Sequence, residues 1–176
     1  MPEGSPGGLH IFDYASPIGN LIGVISEEGL LSLSMDRGND ERVTCREPES
    51  GDTARTYYEL VEQLDSFFEK ELDVFTIDLD TSRISDFRRS IYSELRNLKF
   101  GNLITYGDLA RRAGVPGGAR AVGGAMAGNP YLLVVPCHRV VSKGKGGSYG
   151  LGGFSAGIGI KKDLLTLEGT VSDIEM

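Results

Sequence analysis

Two cysteines occur in 176 residues, and they sit in unlike surroundings. Cys45 lies in the polar stretch Thr44-Cys45-Arg46-Glu47, whereas Cys137 lies in the run Val135-Pro136-Cys137-His138-Arg139-Val140. A thiol becomes a strong nucleophile only as the thiolate, so a reactive cysteine needs a base or a positive field to lower its pKa from about 8.5. His138 and Arg139 follow Cys137 directly. Adjacency alone is weak, because neighbouring side chains often point apart and a lone cysteine in an apolar run is most often a buried small hydrophobe. For a nucleophilic Cys137, expected as a reactive thiolate, His138 needs an orienting carboxylate. The pattern offers Asp163 and Glu168, both on the last helix.

A second feature begins at Arg120, which is followed by Ala121, Val122, Gly123, Gly124, Ala125, Met126 and Ala127. Each glycine costs a helix roughly 1 kcal/mol against alanine, so such a helix needs a reason to be thin. Close helix–helix packing is one reason. A surface pressed into a DNA groove is the other.

Net charge is −7, which speaks against a nucleic-acid partner until its distribution is read. Residues 1–82 hold 5 basic and 18 acidic side chains, residues 83–122 hold 8 and 3, and residues 123–176 hold 5 and 4. The basic footprint is therefore central. With 40% hydrophobic residues the chain can bury a core without disulfides, and two cysteines form no disulfide framework. Cys45, Cys137, His10 and His138 would all be needed for one zinc site, so no metal is expected. The start, Met1 to Gly8, lacks a signal-peptide pattern and no run approaches the ~18 apolar residues of a membrane span, so a cytoplasmic protein without membrane contact is expected.

The elements that must position these residues follow from periodicity and turn chemistry. After a flexible leader, residues 1–8, strands are expected at His10 to Asp13, Leu21 to Ser26 and Leu30 to Met35, with turns at Pro17-Ile18-Gly19-Asn20 and Glu28-Gly29. Asp36 to Asp52 reads as a loop, Thr53 to Lys70 as a helix, and Val74 to Leu79 as one more strand. From Ser85, a helix N-cap, Phe87, Ile91, Leu95 and Leu98 form a stripe. Thr105 caps a short helix from Tyr106 to Ala113, and Gly114 to Gly118 turns into a third, Ala119 to Ala127. Two short helices about a glycine turn are a helix-turn-helix pattern. Leu132 to Val135 delivers the chain to Cys137; a glycine-rich loop, Gly144 to Gly153, and a helix, Gly159 to Leu167, follow.

From Leu98 to Val141 the chain closely resembles the O6-alkylguanine-DNA alkyltransferases, or methylated-DNA–protein-cysteine methyltransferases. The residues that carry this are Phe100-Gly101, Ile104-Thr105-Tyr106, Ala119 to Met126, Gly128-Asn129-Pro130 and above all Pro136-Cys137-His138-Arg139-Val140. It continues at Lys161, Leu164-Leu165 and Glu168-Gly169, and weakly at Ser16 to Gly19 and Gly29-Leu30. The resemblance implies an α+β protein: a small N-terminal antiparallel sheet with a helix, ribonuclease-H-like, over residues 1–82, then an α-helical winged helix-turn-helix domain over residues 83–176 that carries the active site. It implies DNA repair by a single, stoichiometric transfer of an alkyl group from O6-alkylguanine, or O4-alkylthymine, in double-stranded DNA to Cys137, by a monomer without a cofactor.

The same resemblance assigns roles. The damaged base is rotated out of the duplex, because its exocyclic oxygen is out of reach while stacked. Arg120 fills the vacated space, and Thr105, Ala121, Gly123, Gly124 and Ala127 lie against DNA, in a minor groove. Cys137 attacks; His138 is the base through a bridging water, Glu168 orients it, Asn129 braces the cysteine turn, and Tyr106 donates a proton towards the leaving guanine. Substrate contacts are implied for Met126, for the carbonyls of Cys137 and Val140, for Phe154 and for Ser155. Many members carry a Tyr-Ser pair where Phe154-Ser155 stands, so a hydroxyl is absent. The loop from Ser142 to Gly153 is a few residues longer than in some relatives, and Ser148-Tyr149 is an alternative alignment. Rival readings are a protein that binds alkylated bases without repairing them, which carries another residue at the cysteine position, a winged-helix regulator and a Cys-His hydrolase.

Overall fold

The computed structural model describes residues 8–38, 48 and 50–175; Cys45, most of the expected leader and much of the expected acidic loop lie outside them. Alternating burial along three strands, β1 (His10–Ser16), β2 (Gly19–Ser26) and β3 (Gly29–Met35), builds an antiparallel meander in the order β1-β2-β3. Two-residue turns, Pro17-Ile18 and Glu27-Glu28, join them, the first tighter than the four-residue turn expected and the second one residue earlier than expected. Gly29 is obligatory, at φ +134° and with the Asp78 carbonyl where a Cβ would stand. Helix α1 (Asp52–Phe68) lays Leu60, Leu64 and Phe67 on this sheet.

The expected strand from Val74 to Leu79 is not formed. Only Leu79 bridges to Leu30, and the carbonyls of Phe75 and Ile77 bond instead to Arg96 on α2 (Asp86–Arg96), at 3.2 and 2.7 Å. A side chain from a later helix has taken acceptors that a ladder would have used. Ser85 caps α2 by accepting from Arg88 N–H at 3.4 Å, as its pattern predicted.

The second half is helical with short strands. β4 (Ile104–Thr105) runs into α3 (Tyr106–Arg112), and α4 (Ala119–Ala127) follows after a six-residue turn. Thr105 caps α3, accepting from Asp108 N–H at 3.1 Å and donating to its carboxylate at 2.7 Å. β5 (Val140–Lys143) pairs parallel to β4 and antiparallel to β6 (Tyr149–Gly150), which pairs with β7 (Ile174–Glu175). Between β6 and β7 lies α5 (Ile158–Leu167).

A continuous apolar core runs from Phe12 and Leu33 through Ile91 and Leu95 to Val122, Val135 and Leu164, so both halves share it. Backbone bonds also cross between them. Leu33 N–H donates to Pro130 O at 2.8 Å and Leu132 N–H to Leu33 O at 2.9 Å, which ties the edge of β3 to the segment that leads into Cys137. Among the described residues no helix is long and apolar enough to cross a membrane.

Candidate active site

The chain enters the site through a buried irregular turn, Tyr131 to Val135, rather than a strand, with Leu133 held at φ +68°. Asn129 organises that turn. Its Oδ1 accepts from Tyr131 N–H at 3.0 Å, while its Nδ2 donates to Val135 O at 2.9 Å and reaches Cys137 Sγ at 3.2 Å. One 3-10 turn, Cys137–Arg139, then packs three chemically active side chains into three successive buried positions.

Glu168, the C-cap of α5, is where two of them converge. His138 Nε2 lies 2.7 Å from Oε1, Arg139 Nε donates to both carboxylate oxygens at 3.0 Å, and Gly101 N–H donates to Oε2 at 3.1 Å. Arg139 also donates to Leu98 O and lies 6.0 Å from the Phe100 ring centre. Burial alone would raise the Glu168 pKa, but the bonds from His138 and the charge of Arg139 outweigh it and hold the carboxyl down to about 2. Burial lowers His138 more than Glu168 raises it, so at neutral pH a neutral imidazole faces a carboxylate. The standing counter-ion is therefore Arg139.

That settles the tautomer. An ionised carboxylate only accepts, so Nε2 carries the hydrogen and Nδ1 keeps a lone pair. Among the described residues Nδ1 is buried and has no hydrogen-bond partner. It is the free basic nitrogen of the site. Asp163, the other carboxylate candidate, is exposed on α5 and takes no part.

Cys137 departs from expectation in its charge. At 3% exposure, burial pushes its thiol above the ordinary value, against the lowering effects of the Asn129 bond and the Lys161 charge. The resting group is a thiol rather than the expected thiolate. Desolvation, invisible in the motif, decides this.

Cys137 forms part of the lining of a cavity of about 230 Å³, with Tyr106, Gly123, Met126, Ala127, Phe154 and Ser155 around it. That suits one base-sized ring rather than a drug-sized ligand, whose pockets start at about 300 Å³. Ser148 and Tyr149 line a different cleft. Val140 does not line the cavity: its side chain is buried, and its carbonyl already accepts from Lys161 Nζ at 2.6 Å. The carbonyl of Cys137 likewise accepts from Val140 N–H. The Tyr106 hydroxyl lies beside Gly152, and burial raises its pKa, so it is a protonated phenol.

On α4, Val122, Ala125 and Met126 face the core while Arg120, Ala121, Gly124 and Ala127 are exposed. Among the described residues, a Cβ added at Gly123 or Gly124 would meet nothing within 4 Å. Close packing against another described helix is therefore not why they are glycines. Thr105 sits at the start of α3, beside Tyr106.

Sequence reasoning gave no role to Arg139 as counter-ion or to Lys161, which is fully buried and also donates to Gly153 O at 3.3 Å. Lys161 thus ties β5 to the loop of the cavity wall, and burial lowers its pKa to about 8. A signal was present. Lys161, Leu164, Leu165 and Glu168 recur at helical spacing, placing one cation and one anion on the core stripe of α5.

The family description "6-O-methylguanine DNA methyltransferase, DNA binding domain" matches residues 86–170. The methylated-DNA–protein-cysteine methyltransferase of Metallosphaera sedula is 35% identical over 90% of this chain and 92% of its own. That of Mycobacterium leprae is 37% identical over 91% and 92%. Mycobacterium tuberculosis OGT, solved in complex with DNA, superposes with a TM-score of 0.73 at 34% identity, over 92% of this chain and 94% of that one.

Proposed function

Because this chain belongs to the methylated-DNA–protein-cysteine methyltransferase family, we propose that it repairs DNA by moving an alkyl group from O6 of guanine irreversibly onto Cys137. The observation that carries the chemistry is the buried Cys137 thiol on a base-sized cavity, with the neighbouring His138 kept neutral by burial and oriented by an ionised Glu168.

His138 Nδ1 takes the thiol proton through a bridging water, and the imidazolium is stabilised by Glu168. The thiolate attacks the alkyl carbon; the S–C bond forms as the C–O6 bond breaks. The electron pair stays on the guanine, which takes a proton from the Tyr106 hydroxyl and leaves as a neutral base, and the proton held on His138 returns through water to the Tyr106 phenolate, so that both side chains end neutral. Lys161 and Asn129, near the sulfur, favour the transient thiolate. A thioether does not hydrolyse, so each molecule acts once, without a cofactor.

Access requires the damaged base to leave the stack. We assign Arg120 to the vacated space and Ala121, Gly124 and Ala127 to the groove surface, supported by their exposure and by the open space at Gly124. Gly123 and Met126 form the cavity wall beneath, Phe154 stacks on the base, Ser155 donates towards its oxygen and Thr105 sets the approach of Tyr106. If the guanine amino group bonds to Val140 O, it uses the lone pair that Lys161 leaves free. The turn between α3 and α4 together with the β5–β6 hairpin supports a winged helix-turn-helix over residues 83–176, and the meander with α1 a ribonuclease-H-like unit over residues 1–82. The reading extends to a cytoplasmic monomer acting on duplex DNA.

An oligonucleotide duplex with labelled O6-methylguanine tests this: one label per molecule on Cys137, and none with Cys137→Ala. Repeated turnover, or label elsewhere, refutes it. Binding without transfer would favour a lesion-flagging role, which the cysteine and its base argue against.

A further inference from the structure

α4 does not run regularly into the turn that carries the nucleophile. In a continuing α-helix the Ala125 carbonyl would accept from the amide of residue 129, but Asn129 N–H donates to Met126 O at 3.2 Å, so Ala125 O is left without its helical donor. Tyr92, on α2, supplies the replacement. Its hydroxyl donates to Ala125 O at 2.8 Å and lies 3.3 Å from Gly128 O, across the last turn of α4.

A second phenol holds the far side of Asn129. Tyr131 N–H donates to Asn129 Oδ1 at 3.0 Å, and the Tyr131 hydroxyl donates to Asp80 O at 2.6 Å. Asp80 is itself fixed to the sheet: its N–H donates to Leu30 O at 2.9 Å, and its carboxylate accepts from Ser26 Oγ at 2.6 Å and Ser82 N–H at 3.0 Å. The two rings meet edge to face with centres 6.1 Å apart, and are 2% and 0% exposed. Burial raises both phenols to about 12, so each keeps the hydrogen that it donates. Between these two posts stands Asn129, whose Nδ2 lies 3.2 Å from Cys137 Sγ.

We propose that Tyr92 and Tyr131 are positioning residues for the transfer: their hydroxyls pin the two ends of the segment from Ala125 to Tyr131, and so hold the Asn129 amide against the sulfur as it becomes a thiolate. Neither tyrosine lines the cavity, so each acts through Asn129. A donor gains most when its acceptor carries charge, and the bond weakens steeply once distance and angle drift, so a small shift of this turn removes the benefit. The proposal rests on the repair reading for what the sulfur attacks, but not for how the sulfur is held.

Y92F and Y131F keep each ring and delete only the hydroxyl. The control is Y14F, which deletes a hydroxyl bonded to Asp65 at 2.6 Å and not lining the cavity. Single-turnover transfer at saturating O6-methylguanine duplex is expected to fall at least about threefold in Y92F and in Y131F, with duplex Kd within about twofold of wild type and Y14F unchanged. The second readout is the pH profile of Cys137 alkylation by iodoacetamide, located by peptide mass spectrometry. Losing a donor to the thiolate should move that profile to higher pH by at least about 0.5, which matches a threefold fall in thiolate. The other titratable groups about the sulfur, Lys161 on α5, Tyr106 on α3 and the adjoining His138, are the same in every variant. In N129A, adding Y92F or Y131F should change neither readout further, because the amide is already gone.

Unchanged transfer with an unchanged profile in folded Y92F and Y131F overturns the proposal. So does a fall that Y14F shares, a loss confined to duplex Kd, or an effect that adds in full to that of N129A. The tyrosines sit on separate elements, so either variant carries the comparison if the other fails to fold. The iodoacetamide profile needs no alkylguanine, and it still decides the proposal if the wild type transfers nothing.

Discussion

Replacing Glu168 by Gln removes the one charge on which His138, Arg139 and Gly101 converge, and leaves the Arg139 guanidinium buried without its counter-ion. Breaking a buried pair in this way costs about 3–5 kcal/mol. A second route gives a similar figure: a carboxyl lowered from 4.5 to about 2 contributes about 3.4 kcal/mol at neutral pH. For a chain of 176 residues the melting temperature should fall by roughly 10 °C. The sign with pH follows from the depressed pKa. The contribution is complete above the unfolded value and is lost as pH falls towards the folded one, with about 2 kcal/mol gone by pH 3. Denaturant titrations of wild type and E168Q at pH 7, 5 and 3 should show a gap that is widest at pH 7, nearly as wide at pH 5, and narrower by about 2 kcal/mol at pH 3. A gap under about 1 kcal/mol at pH 7, or one that ignores pH, would refute the assignment of Glu168 as an ionised, paired carboxylate.

Arg120→Ala should slow alkyl transfer from duplex DNA at least about tenfold more than transfer from free O6-methylguanine, a difference of about 1.4 kcal/mol; equal losses would remove Arg120 from the extrusion step. Gly124→Ala meets open space and should raise stability by up to about 1 kcal/mol through helix propensity, read as a higher melting temperature. Gly124→Leu should fold equally well and lose duplex binding, so unimpaired binding would show that α4 does not approach DNA closely. Transfer from the free base should fall as pH drops through the His138 pKa, which burial lowers, so the acid midpoint of the rate profile lies below the ordinary 6.5. A midpoint at or above 6.5 would mean that His138 is not the neutral base.

How much of this was legible in the chain depended on whether local pattern or tertiary environment decided the matter. The caps at Ser85 and Thr105 are local chemistry, and both formed where the pattern put them. The run Pro136-Cys137-His138-Arg139-Val140 pointed to the site but misled about its charge, because the burial that raises the Cys137 pKa is a property of the folded chain and not of the motif. Choosing between Asp163 and Glu168 needed the helix end that faces Gly101. Alternation at Val74 to Leu79 promised a strand, and Arg96, seventeen or more positions later, claimed its carbonyls. The glycines of α4 were ambiguous between two kinds of neighbour until the space beside them was found open.

The exchange of backbone bonds between Leu33 and residues 130–132 bears on how this protein can be cut. A family description that begins at residue 86 invites expression of the second half alone. Such a fragment would expose the Pro130 carbonyl and the Leu132 amide, and with them the anchor of the loop on which Asn129 and Cys137 hang. The acidic first half, whose described residues include none of those assigned to the transfer, is in this sense the workbench against which the tool is clamped, and the two are one instrument.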